Sequence, residues 1–234
     1  MQFAALDAPR RDSKAEALDV AKIHKLQLKD PRLLGPGIER VDAFDRRIRL
    51  RGEVGMGDCQ SIVVDNASDA LGTCGVAVCY AVCARGVTAD GKVVLSLGHY
   101  SRGDGEEVMD QHALMMREHG AAQFEVYVVG GQLSRCIEPL EMSEVVDDDV
   151  QSDLTGTLDR GMELVEAAGE RLRGAVIDAS EFSEADIAAH PEVPAAPPSG
   201  RPECVSVVIT RDGVLYAADS AGDHALEALR NLNR

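Results

Sequence analysis

The spacing of hydrophobic positions changes period several times along the chain, and each change marks an element. Leu18, Ala21, Ile23 and Leu26 follow helical spacing over 14–29, and Pro31 with the "GPG" at 35–37 stops that pattern. From Arg46 the period drops to two, with Ile48 and Leu50 between arginines 46, 47 and 49, as in a strand that meets the glycine-rich "VGMGD". The arginines read as a solvated face, with a docking patch as the alternative. Three β-branched runs follow at 61–65, 75–84 and 92–100, and the Asp-Gly step in "TADGK" predicts a hairpin between the last two. A helix is predicted over 106–120 from acids in its first turn, a stripe of Val108, Met109, Ala113 and Met116, and Gly120 as terminator. "FEVYVVGG" reads as a strand whose closing pair, Gly130 and Gly131, marks a sharp turn or a close backbone approach. Helical spacing returns over 154–172, "GAVID" at 174–178 is a strand, "CVSVVIT", "RDG" and "VLYAADS" form a second hairpin, and "DHALEALRNL" is a short closing helix.

These elements predict an α+β protein of layered mixed β-sheets with flanking helices. Residues 1–45 form an appended helix and linker, 46–220 the main domain, and 221–234 a C-terminal helix. The proline-rich stretch at about 190–202, with five of the nine prolines, interrupts the domain as a linker or insertion.

Charge and cysteine content narrow the function. A formal net charge of −16 opposes phosphate backbones and anionic lipid, so nucleic acid and membrane surfaces are poor partners. Aromatic residues make up 3% with no Trp, which leaves no stacking platform for bases. No apolar run reaches the roughly 18 residues of a membrane span, and the first residues lack the charged start and apolar block of a secretory signal. Six cysteines in a chain long enough to build its own core read as reduced thiols.

The densest chemistry lies in "LGTCGVAVCYAVCARG" at 71–86. Cys74 follows Gly72 and Thr73, which permit a tight entry with backbone N–H groups beside the sulfur as oxyanion donors. The predicted hairpin brings His99 to the same sheet edge, where a thiolate–imidazolium pair would form. Ser68, Asp69 and Thr73 are candidates for the group that orients the imidazole. Cys79 and Cys83 read as buried fillers in an apolar strand. Cys74, Cys79, Cys83 and His99 form no expected metal site, because their spacing lacks a two-residue knuckle and a regular strand turns them to different faces. His112 and His119 share one helix face and read as surface or capping residues.

The order of blocks, "VGMGDCQ" at 54–60, "SDALGTCGVAVCY" at 68–80, "LSLGHY" at 95–100, "REHGAAQ" at 117–123 and "FEVYVVGGQLS" at 124–134, resembles the CheD family of bacterial glutamine deamidases. That family carries the nucleophile in a "TLGLGSCVAV" segment, followed by a strand ending in "AH". The resemblance implies a CheD-like cysteine hydrolase fold and a protein-glutamine glutaminase with Cys74 as nucleophile and His99 as base. The family's third residue is a threonine six positions before the cysteine, and Ser68 stands there, so the resemblance implies that its hydroxyl holds the imidazole as the third catalytic residue. Gly72, Thr73, Gly130 and Gly131 would line the oxyanion and substrate site; Arg102 and Arg135, in the neighbouring loops, read as exposed solubilising charge or as residues that steer an acidic stretch of substrate. No cofactor is implied. The implied partner is a glutamine-bearing protein, a chemoreceptor in the bacterial cytoplasm or, by likeness to the cytotoxic necrotizing factors, a host signalling protein met by a secreted effector. A transglutaminase, a non-catalytic binding module on the same fold and another thiol amidase or peptidase are the alternatives.

Overall fold

The computed structural model describes residues 37–77, 79–101, 104–130, 160–177, 204–219 and 224–232. The predicted N-terminal helix, the proline-rich stretch, Gly131, Arg102, Arg135 and Cys136 lie outside them. The strands are β1 (Ile38–Arg40), β2 (Arg49–Glu53), β3 (Cys59–Val63), β4 (Asp69–Val76), β5 (Tyr80–Val87), β6 (Val93–Tyr100), β7 (Phe124–Gly130), β8 (Leu172–Ile177), β9 (Val205–Thr210) and β10 (Gly213–Ala218). Helix α1 spans Gly105–Glu118, residues 160–168 are helical, and a short helix covers Glu227–Arg230.

The strands form two five-stranded sheets, ordered β1-β10-β9-β4-β2 and β3-β6-β5-β7-β8. Each is mixed: β1 and β2 run parallel to their neighbours β10 and β4, β8 runs parallel to β7, and the remaining pairs are antiparallel. The protein is therefore α+β, with both predicted hairpins, β5–β6 and β9–β10, in place.

Among the described residues, three apolar layers hold the stack together. The sheets face one another across a core that includes Leu71, Val207 and Ile209 from the first and Ala81, Leu97 and Val129 from the second. The outer face of the second sheet packs against α1 and residues 160–168 through Val82, Val128, Val108, Met116 and Leu164. The outer face of the first is covered by Phe44, Leu226 and Leu229. Strand alternation decides which layer a residue enters. On β4, Leu71 and Thr73 point between the sheets, whereas Ala70, Gly72 and Cys74 point to the C-terminal segment.

Helix α1 begins where the sequence predicts. Asp104 caps it by accepting from the Glu106 and Glu107 N–H groups at 2.8 and 3.4 Å, and Gly120 ends it with φ +82°.

Two expectations change. The boundary expected after residue 45 falls earlier, because β1 pairs with β10 and Phe44 is a core residue. The apolar run 75–84 is not one strand. β4 ends at Val76, β5 begins at Tyr80, and the two belong to different sheets. Gly75, at φ +69°, lies at the register shift between Thr73 and Val76, from which the chain crosses from one sheet to the other.

Candidate active site

The crossover from β4 to β5 brings a histidine, a threonine and a cysteine together at the rim of the inter-sheet core. Thr73 on β4 and His99 on β6 face each other across the sheets, and Oγ1 of Thr73 lies 2.8 Å from Nδ1 of His99. Cys79, just before β5, places Sγ 2.8 Å from the other ring nitrogen, Nε2. All three residues are buried.

Proton counting fixes the tautomer. The Thr73 hydroxyl donates its one proton to the Val54 carbonyl at 2.7 Å, and a carbonyl only accepts. The Thr73 oxygen must then accept from His99, so the imidazole carries its proton on Nδ1. Nε2 is left as an acceptor pointed at the Cys79 sulfur, the arrangement a general base requires. The loop between β2 and β3 holds the histidine from behind: the Gly57 N–H donates to the His99 carbonyl at 2.7 Å, and the His99 N–H to the Asp58 carbonyl at 3.1 Å.

Burial sets the resting charge state. It pushes the Cys79 thiol up, while hydrogen bonds from the Ala77 and Cys79 backbone N–H groups act in the opposite direction. It pushes the His99 imidazole down. Both shifts favour a neutral thiol beside a neutral imidazole.

Cys74 does not join this group. It follows Thr73 on the strand and so turns to the opposite face, where its sulfur accepts from Nη2 of Arg230 at 3.0 Å and lies 3.8 Å from Oε1 of Glu53. Arg230 and Glu53 are themselves ion-paired. The expected meeting of Cys74 and His99 is thereby corrected: the cysteine at the imidazole is Cys79, which the sequence suggested as a filler. Cys83, fully buried between the sheets, is a filler as expected.

Ser68 lies in the turn before β4, where its hydroxyl donates to Asn66 at 3.0 Å. It is five residues from Thr73, the imidazole's partner, about 16 Å of extended chain. Gly72 faces outward, and a Cβ there would come within 2.9 Å of Leu50, so its small size serves packing. Thr73, expected both among the oxyanion residues and as a candidate to orient the imidazole, is the imidazole's partner.

Gly130 does make the close approach its sequence suggested. A Cβ there would lie 2.1 Å from the Cys79 carbonyl oxygen, and its φ is +148°. It packs the end of β7 directly against the backbone of the cysteine.

The sequence held one signal for the cysteine that lies at the imidazole. A threonine six positions before the nucleophile fits Thr73 and Cys79, and "CYAV" at 79–82 then falls on the family's "CVAV".

A second set of Cys, His and hydroxyl groups lies on the other face of β6. His112, expected at the surface, is fully buried, with Nδ1 2.6 Å from the Ser96 hydroxyl and Nε2 3.3 Å from the Tyr100 hydroxyl and 3.9 Å from the Cys59 sulfur. Tyr100 donates to Gln111 at 2.9 Å, so its oxygen accepts from Nε2 and the proton sits there. Nε2 therefore has no lone pair for Cys59, whose thiol burial pushes up to about 11. Among the described residues no group of His, Cys, Asp and Glu is arranged to hold a metal ion, and no helix is long and apolar enough to cross a membrane. No family model matches this sequence, and no curated protein matches it.

Proposed function

We propose that the chain is a cysteine-dependent amidohydrolase acting through Cys79, His99 and Thr73, and that its substrate is the side-chain carboxamide of a protein glutamine. The observation that carries this reading is the His99 ring held between a hydroxyl and a thiol, with its basic nitrogen on the sulfur. The choice of glutamine rests on the resemblance of the blocks to the CheD family, with the motif set in the Thr73–Cys79 register. A CheD-like fold and a cytoplasmic chemoreceptor or host signalling protein as target belong to the same proposal.

The chemistry runs without a cofactor. Nε2 of His99 takes the thiol proton as Sγ of Cys79 attacks the carboxamide carbon, and Thr73 holds the resulting imidazolium through Nδ1–H. The N–H groups of Ala77 and Cys79, already turned toward the sulfur, are the available donors to the tetrahedral oxyanion. The imidazolium returns its proton to the leaving nitrogen, and the C–N bond breaks to release ammonia and a thioester. Water, deprotonated by the same Nε2, attacks that thioester; the C–S bond breaks, the imidazolium returns its proton to the Cys79 sulfur, and a glutamate remains. Cys79 is only 5% exposed, which favours an extended side-chain amide over a peptide bond within a folded backbone and so weighs against a peptidase.

The test is incubation of the parent, Cys79→Ala, Cys74→Ala and His99→Ala with glutamine-rich protein substrates, followed by mass spectrometry for amide-to-acid conversion. Conversion by the parent and Cys74→Ala, its loss in Cys79→Ala, and a 10²–10⁴-fold drop in His99→Ala are expected. New peptide termini, or conversion lost with Cys74 but kept without Cys79, would refute the proposal.

A further inference from the structure

The loop that carries Cys79 is tied to the C-terminal part of the fold by one buried carboxylate. Asp219, just after β10, has a side chain 3% exposed and is hydrogen-bonded through both oxygens. Oδ1 accepts from the Ser206 hydroxyl at 2.6 Å and from the Ala225 N–H at 2.8 Å. Oδ2 accepts from the Gly75 N–H at 3.2 Å and lies 3.1 Å from Nδ1 of His224. Gly75 is the residue at φ +69° from which the chain leaves the first sheet. Its carbonyl lies 3.7 Å from the Cys79 sulfur. The same glycine thus touches the carboxylate through its N–H and the thiol through its carbonyl. Burial raises the Asp219 carboxyl, but the bonds from Ser206, Ala225, His224 and Gly75 outweigh it and hold the group below the usual carboxylate range.

We infer that Asp219 is a positioning residue for the nucleophile: by accepting the Gly75 N–H it sets the path of the crossover and keeps the Cys79 sulfur on Nε2 of His99. This rests on the reading of Cys79 and His99 as the reacting pair. Without the carboxylate the Gly75 N–H has no acceptor at that point, while the left-handed turn remains available to a glycine. The crossover would then be free to rotate the thiol toward the Gly75 carbonyl and away from the imidazole.

The substitution Asp219→Asn removes this bond, together with the charge that faces His224. An amide keeps one acceptor oxygen, and the two shorter bonds from Ser206 and Ala225 will claim it. The NH₂ group then meets the Gly75 N–H, donor against donor. Ser206→Ala removes a bond to the same carboxylate while sparing Gly75. Asp219→Glu keeps the charge but displaces both oxygens by one methylene.

The readout is the rate of Cys79 alkylation by iodoacetamide against pH, resolved by peptide mass spectrometry, with thermal midpoints confirming that each variant is folded. In the parent, base assistance by His99 should give a plateau across neutral pH. In folded Asp219→Asn the neutral-pH rate should fall on the order of 10- to 100-fold, leaving only the rise toward high pH of an unassisted thiol. Asp219→Glu should lose the plateau as well, and it supplies the result if Asp219→Asn does not fold. Ser206→Ala should keep the plateau. A parent-like profile in either folded Asp219 variant, or an equal loss in Ser206→Ala, overturns the inference. If His99→Ala itself leaves the parent profile unchanged, the Cys79–His99 reading fails instead, and the two outcomes are told apart.

Discussion

At the residue scale, one hydroxyl proton organises the site. Because Thr73 gives that proton to the Val54 carbonyl, His99 must donate from Nδ1 and present a lone pair at Nε2. Thr73→Val keeps the shape but leaves the carbonyl and the Nδ1–H unpartnered in the core. It should cost about 1–3 kcal/mol of stability by denaturant unfolding and remove base-assisted alkylation of Cys79. Thr73→Ser, which restores the hydroxyl, should recover most of both. The same proton counting gives His112 the opposite tautomer, with its Nε2 proton on Tyr100, so Cys59→Ala should leave thiol-dependent activity untouched. Two histidines among cysteines and hydroxyls are thus separated by where a single hydrogen sits.

At the scale of elements, the β4–β5 crossover decides which cysteine meets His99. The run "GVAVCYAVCA" is apolar throughout because the strands at both its ends are largely buried, so hydrophobic periodicity gives no mark where one stops and the next starts. Gly75 was the only punctuation, and a glycine inside a strand pattern is a weak one. The hairpins and α1 were legible because an Asp-Gly turn, a capping aspartate and a terminating glycine are local signals. His99 at the sheet rim was legible for the same reason, since the hairpin set its place. The cysteine was not, because its position depends on which sheet each end of an unbroken apolar run joins, a tertiary choice. β1 is three residues held by pairing with β10, too short for any pattern. Gly130→Ala tests the crossover from its other side. With a Cβ 2.1 Å from the Cys79 carbonyl and φ at +148°, the substitution must displace one backbone or the other. It should lower the thermal midpoint and reduce Cys79 alkylation together, whereas Gly91→Ala, at a turn with open space around it, should leave alkylation at the parent rate.

At the scale of the whole molecule, the two sheets and their covering helices bury ionisable groups whose neutral forms the fold prefers. His112 is the clearest, fully buried between α1 and the second sheet, with burial pushing it down to about 4. In the unfolded chain it titrates at about 6.5. Above that pH both states are neutral and the stability is whole. As pH falls below it, the unfolded state takes up a proton that the folded state refuses, so stability declines until about pH 4, where the folded state protonates too. The loss from this group is on the order of 3 kcal/mol across that window. Urea unfolding at a series of pH values should show the decline, and His112→Gln should flatten it. His99, buried and pushed down in the same way, adds to the slope in the parent.

The most direct measurement is the pH profile of iodoacetamide alkylation at each cysteine of the parent and of His99→Ala. Cys79 should react fastest, with an acid limb below the ordinary imidazole value, a plateau through neutral pH, and a further rise only above the ordinary thiol value. In His99→Ala that plateau should vanish, while Cys74 stays slow in both proteins. A fast Cys74 whose rate depends on His99, or a Cys79 profile unchanged by removing the imidazole, would contradict the site described for this fold.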